Sequence, residues 1–221
     1  MKRCLLVLAA LCLLPACVSV PPASKVATES VDAWRGKTVA TTTRSREALV
    51  AMTAGKATFA MLGALAMIEA GKKIVADNGI DDPVPLLSQE LLQAAMQKYT
   101  LQPAAAGTVT VATDDVAKLA QAAGSADLLL DVQSLGATFR YFPTNWTHYA
   151  VDSAFIVRLI DVKGKRLAAG GMCRLTSEKE PNPPTHEELL ADRAQRLKAI
   201  LESQRASCSQ KFKVEVLNIE G

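Results

Sequence analysis

The chain has 221 residues, 49% hydrophobic and 21% charged, which suits one domain of ordinary size with a real core. Its formal net charge is +3, and no basic run offers a footprint for nucleic acid. His148 and His186 are its only histidines, so a multi-histidine metal site is excluded, and no cofactor motif is present.

The first element has the three parts of an export signal. Lys2 and Arg3 give a positive start, Cys4 to Leu14 is an uncharged apolar run, and Leu14-Pro15-Ala16-Cys17 places a small residue before a cysteine. The apolar run is too short to span a bilayer, which needs about 20 residues. The four residues ending at Cys17 resemble the lipobox of bacterial lipoproteins, although Pro15 departs from it. The resemblance implies removal of residues 1–16 and acylation of Cys17. With Val18 rather than Asp after the cysteine, it also implies an outer-membrane, periplasm-facing location. Several acyl chains would hold such a protein firmly. Loss of Lys2 and Arg3 lowers the formal net charge from +3 to +1.

Val18 to Asp32 contains Pro21-Pro22 and no apolar period, and reads as a flexible tether. The expected organisation is signal 1–16, acylated cysteine and tether 17–33, and one domain 34–221. Lys37 to Arg44, rich in Thr and Val, is the first expected strand. Ala48 to Ile68 holds one charge, Lys56, and its composition favours helix, with Asn78-Gly79 as the stop. Gly55, Gly63 and Gly71 are spaced by eight residues, a stripe that would allow close approach. Three readings stand side by side: a buried helix on a sheet, a self-association helix, or membrane insertion.

Asp82 and Pro83 are the N-cap and first position of the next helix, with Leu92, Ala95, Met96 and Tyr99 as its expected buried face. Thr108 to Ala112 reads as a short strand, and Thr113 as the cap of a helix over Asp114 to Ala123. From Asp127 the period becomes two: Leu128, Leu130 and Val132 point inward, Asp131 and Gln133 outward. Ala154 to Val162 is apolar on both faces except at Arg158 and reads as central. Asp161 to Arg166 turns into a partner strand, Leu167 to Thr176. Thr185 and Glu188 form a capping box for a helix to about Ser207, with Leu190, Leu197 and Leu201 inward; Lys213 to Leu217 reads as a last edge strand. The expected fold is α+β, a mixed, mostly antiparallel sheet with helices packed on one face.

Outside the signal and Cys17, the remaining cysteines are Cys173 and Cys208. Both fall on the same expected helix–sheet contact and an exported protein meets an oxidising compartment, so a disulfide is predicted; two buried thiols are the alternative.

Two stretches carry a further likeness. The helices within Leu86–Leu101 and Asp114–Leu135, with Ala123-Gly124-Ser125-Ala126-Asp127-Leu128 as strand entry, resemble the curli-secretion lipoprotein (CsgG-like) superfamily. So does the hairpin Phe155–Leu167, reading FIVRLIDVKGKRL. That resemblance implies a periplasm-facing lipoprotein that binds envelope partners, activates cell-wall synthases or assembles secretion rings; it implies no catalytic residue.

No G-x-S-x-G elbow occurs, Cys173 and Cys208 lack a neighbouring histidine in sequence, and Ala54-Gly55-Lys56-Ala57 lacks the first glycine and final Ser/Thr of a phosphate loop. His186, in a helix first turn, reads as solvated. Five of the ten aromatics crowd into eleven residues, Phe139, Tyr141, Phe142, Trp146 and Tyr149, around the turn Pro143-Thr144-Asn145. They are either anchors for a partner or cross-strand pairs bracing a hairpin. The expected function is a non-enzymatic binding or assembly module, anchored to the membrane through lipid. A subunit of a homo-oligomeric complex joined through the Gly-spaced helix is the alternative, and an envelope hydrolase the least supported reading.

Overall fold

The computed structural model describes residues 20–52 and 60–219, with the backbone alone at 60–62. The signal, the lipobox with Cys17, and Gly55 lie outside the described residues.

Six strands form one mixed sheet: β1 (Thr38–Thr43), β2 (Leu49–Met52), β3 (Gln102–Thr110), β4 (Leu128–Phe142), β5 (Asn145–Asp161) and β6 (Arg166–Thr176). Their order is β3-β1-β4-β5-β6, with β2 paired to the far half of β4. β1 runs parallel to β3 and β4, and β2 parallel to β4; the long β4-β5-β6 meander is antiparallel. The helices are α1 (Ser30–Trp34), α2 (Ala60–Asn78), α3 (Pro83–Tyr99), α4 (Val116–Ala122) and α5 (His186–Glu215). The fold is α+β, as expected.

One face of the sheet carries Leu128, Leu130, Val132, Phe155 and Val157, packed with Leu87, Leu91 and Tyr99 of α3 and Phe212 of α5. Asp82 starts α3 by accepting from Val84 N at 3.0 Å, and Pro83 follows it. The buried stripe Leu87, Leu91, Ala95 and Tyr99 sits one turn apart, so Leu92 and Met96 are half-buried flanks instead of the centre of the face. Farther along the same face, Phe139, Tyr149 and Val151 pack with Leu189 and Leu197 of α5. Helices do not keep to that face alone. Leu119 and Ala120 of α4 cover Leu129 and Ile160 on the other side, which is why β4 is buried throughout its first six residues.

Several expected boundaries move. Ala48–Ile68 is not one helix: Leu49–Met52 is a strand beside Ala137–Arg140, and Ala60–Asn78 is helix. Gly71 explains the packing of α2 on that strand. A Cβ there would lie 1.6 Å from the Leu49 carbonyl oxygen, so only glycine admits the contact. β3 starts at Gln102, six residues before the expected strand. Asp115, not Thr113, caps α4, accepting from Lys118 N at 2.9 Å. Lys213–Leu217 is no strand; α5 continues to Glu215, and its last turns bury Phe212, Val216 and Leu217 in the core. The capping box at Thr185 and Glu188 is present, and α5 bends where Asp192, Arg193 and Ala194 take left-handed backbone angles.

The expected tether also folds earlier than Trp34. Ser24 and Gly170 exchange backbone hydrogen bonds of 2.8 and 3.1 Å, and Val26 N donates to Val216 O at 2.9 Å. Val26 is 1% exposed, so its burial in the core adds to these hydrogen bonds in docking the stretch. Cys173 of β6 and Cys208 of α5 form the disulfide, with Cα atoms 5.6 Å apart. No helix among the described residues is long and apolar enough to cross a membrane.

Candidate functional site

The β4–β5 hairpin divides the five aromatics into two levels. Phe139 and Tyr149 sit near its base with ring centroids 5.7 Å apart, edge to face, and both are buried. His186 joins them at 5.8 Å from Phe139 and 5.7 Å from Tyr149; it is half-buried against these rings, not solvated as expected. Burial pushes the Tyr149 phenol above its usual range, with the charge of Tyr141 adding to it. These residues brace the hairpin. Arg140 adds a clasp, donating to Asp152 at 2.8 Å and to Glu178 at 2.7 Å. The Tyr149 N–H donates to the Pro184 carbonyl at 2.8 Å, tying the hairpin to the segment that leads into α5.

The tip behaves differently. Trp146 is 66% exposed, the most open large apolar residue among those described. Its Nε1–H donates to the Pro143 carbonyl at 2.8 Å, and its ring meets Tyr141 edge-on at 6.3 Å. Tyr141 and Phe142 are half-buried beside it. Thr147 Oγ1 contacts Asn145 Oδ1 at 2.8 Å and His148 Nδ1 at 2.9 Å, so the turn is held by its own side chains. A rigid, outward-facing indole with its polar atom already satisfied is a surface suited to burial against another molecule.

Of the Gly-spaced stripe, Gly63 and Gly71 are used inside the molecule. Gly71 abuts Leu49, and Gly63 is buried with Met67 on the same side of α2. This packing removes Gly71 from the expected self-association face; Leu65, on the other side of α2, is the exposed residue.

Two arrangements were not read from the sequence. The first is a buried ion network. Asp131, expected to face outward, is wholly buried and accepts from Arg158 Nη1 at 2.8 Å, Arg44 Nε at 2.8 Å and Thr42 Oγ1 at 2.7 Å. Arg44 also reaches Asp114 at 3.1 Å, and Arg158 reaches Gln133 at 2.9 Å. The isolated Arg158 in an apolar strand was the available signal; among its partners are Asp131 and Gln133 of β4 and Asp114 at the entry to α4. The second is a cleft of about 540 Å³ between β2, β4, β5 and the helices α2, α3 and α5. Leu49, Ile80, Ala137, Phe155 and Leu201 line it, with Arg46 and Lys198 among its polar residues. No sequence motif marks it, because its residues come from separate elements. Among the described residues, no group of three or more His, Cys, Asp or Glu is placed to hold a metal ion.

No family model matches the chain, and no curated protein matches it. Among solved structures, the chain is similar to a PelC dodecamer subunit from Paraburkholderia phytofirmans, at 13% identity over 72% of this chain and 77% of that one, with a TM-score of 0.25. It is also similar to the hypothetical protein CT253 from Chlamydia trachomatis, at 7% identity over 81% of this chain and 98% of that one, with a TM-score of 0.34. Lipoprotein GNA1162 from Neisseria meningitidis matches at 13% identity over 79% of this chain and 99% of that one, with a TM-score of 0.28. Likenesses at these scores carry no functional argument.

Proposed function

We propose that the chain is a lipid-anchored lipoprotein of the bacterial outer membrane, facing the periplasm, that acts as a non-enzymatic binding or assembly module through its aromatic hairpin tip. The observation that carries this reading is the 66% exposed Trp146 on a turn locked by the Trp146–Pro143 hydrogen bond. Burying that ring removes apolar surface from water, and the indole N–H needs no new acceptor, so little ordering or desolvation opposes the contact.

Position along the sheet supports the same reading. The N-terminal leader joins the sheet where Ser24 pairs with Gly170, and Gly170 pairs with Arg158 of β5. From Arg158 back to Trp146, a strand rising ~3.3 Å per residue covers about 40 Å. With acylation at Cys17, the tip is held far from the point where the anchored leader enters the domain.

A photo-crosslinking residue at position 146, introduced in living cells and read by mass spectrometry, tests the contact. Reproducible capture of one envelope protein, lost when Tyr141 is also changed to Ala, is the expected result. Capture of the chain alone, or of nothing, overturns the hairpin as a partner contact. The anchor is tested separately: Cys17→Ala should move the protein out of the membrane fraction, and retention there would refute acylation.

A further inference from the structure

Three consecutive residues of α5, Asp192, Arg193 and Ala194, take left-handed angles, with φ of 50°, 58° and 57°. None is glycine, and a residue with a Cβ disfavours this conformation roughly five- to thirtyfold against the right-handed one. A single left-handed residue ends many helices, whereas three in a row inside one reverse its screw locally. A strain-free alternative exists, because Ala191-Asp192-Arg193-Ala194 holds no helix breaker and His186–Glu215 is free to run as one right-handed helix.

The bent form is held from both sides of the turn. Before it, Leu189 is fully buried in the cluster that contains Phe139 and Tyr149, and His186 lies against the same two rings. The Tyr149 N–H donates to the Pro184 carbonyl there. After the turn, Arg196 reaches back, donating to the Asn182 carbonyl at 2.7 Å and to Glu188 at 3.4 Å. In a continuous helix Glu188 and Arg196 stand about 12 Å apart along the axis, so this grip belongs to the bent form. Ala191, Asp192 and Arg193 are exposed, and the turn itself adds little packing to offset its strain.

We propose that the left-handed turn is a strained latch at the root of the hairpin. Closed, His186–Leu190 folds over Phe139 and Tyr149 and braces the hairpin. Open, α5 straightens into one right-handed helix, the strain is relieved, and His186, Leu189 and the Pro184 carbonyl leave the hairpin base. The consequence for the contact at Trp146 rests on the hairpin reading above: the closed latch is the form that presents a rigid tip.

Amide hydrogen exchange of the purified full-length chain, read residue by residue by NMR, tests the latch. The Tyr149 N–H reports opening, and the N–H of Val157, buried in β5, reports global unfolding. The Leu189 N–H, bonded to the Thr185 carbonyl at 3.0 Å, belongs to a turn that both forms keep. Tyr149 should exchange faster than both, and low urea should move its rate less than that of Val157, because straightening exposes less surface than unfolding. Asp192→Gly and Arg193→Gly favour the left-handed turn over the straight helix and should each slow Tyr149 about tenfold. Arg196→Ala should speed it about fivefold with the circular dichroism spectrum unchanged. Equal rates at Tyr149 and Val157, or glycine variants that fail to slow Tyr149, overturn the latch. Equal rates at Tyr149 and Leu189 overturn it too, since the first turn is then melting and not straightening. Crosslinking from position 146 reads the coupling separately: capture should fall in Arg196→Ala, and unchanged capture refutes the coupling. Absence of capture in the unaltered chain refutes the hairpin contact alone and leaves the exchange result standing.

Discussion

Replacing both Cys173 and Cys208 with Ala removes the covalent link between β6 and α5 and tests how the fold is stabilised. The bridge joins residues 35 apart in sequence, and both cysteines lie in the main core cluster. On the chain-entropy model, a closed loop of that size restricts the unfolded chain by ~13 cal/mol/K, or about 4 kcal/mol at 25 °C. An unfolding entropy of ~0.4 kcal/mol/K for a domain of this length converts this into a fall in Tm of about 9 °C. Urea unfolding of the oxidised protein and the double variant, followed by circular dichroism, measures the loss directly. The slope of stability on urea should also rise in the variant, because the uncrosslinked unfolded chain exposes more surface. A loss under about 1 kcal/mol refutes the reasoning. A full loss with an unchanged slope also refutes it, since it would place the stabilisation in native packing instead of the unfolded state.

Three further perturbations follow from the packing. Gly71→Ala should cost at least about 3 kcal/mol, since the new Cβ meets the Leu49 carbonyl and forces α2 off β2, whereas Ala64→Ser on the exposed side should change stability by less than about 0.5 kcal/mol; chemical denaturation compares the two. Asp131→Ala leaves Arg158 and Arg44 without their shared carboxylate and should cost about 3–5 kcal/mol, and the double variant Asp131→Leu, Arg158→Met should recover a large part of that loss in the same assay. Tyr99 is buried with its hydroxyl donating to the Leu217 carbonyl, and burial pushes its phenol up to about 12. Because the folded state holds this proton more tightly than the unfolded chain, at about 10, the contribution is fully present below pH ~10 and is lost as pH rises towards 12. Tyr99→Phe should therefore lower stability at neutral pH through the lost hydrogen bond, yet flatten the alkaline fall in a pH series of melts; an unchanged alkaline slope would contradict the assignment.

Local chemistry was legible where it acts over a few residues. Asp82-Pro83 and the Thr185/Glu188 box mark helix starts because capping involves groups two or three positions apart. The β5–β6 hairpin was legible from its period and turn, and the cysteine pair from two faces that had to meet. Leu49–Met52 was misread for a physical reason: a short apolar run next to a helix-favouring segment has no period of its own. Its strand state is settled by pairing with Ala137–Arg140, nearly ninety positions away. The C-terminal error has the same origin, since Lys213–Leu217 alternates like a strand but finds its apolar partners, beside Val26 and Tyr99, by continuing α5.

The candidate sites divide along the same line. A hairpin turn is a local property and was legible, but the exposure of Trp146 two residues beyond it was not, because it depends on which neighbours cover the ring. The reading of Asp131 shows what alternation cannot supply. Period two separates the faces of a strand, but it does not say that the second face is wet. Here α4 covers part of that second face, and Arg44 and Arg158 arrive from β1's end and β5 to neutralise Asp131. An acid on the second face of a covered sheet is therefore evidence for a cation elsewhere, and the Arg158 that interrupts an apolar strand was its counterpart.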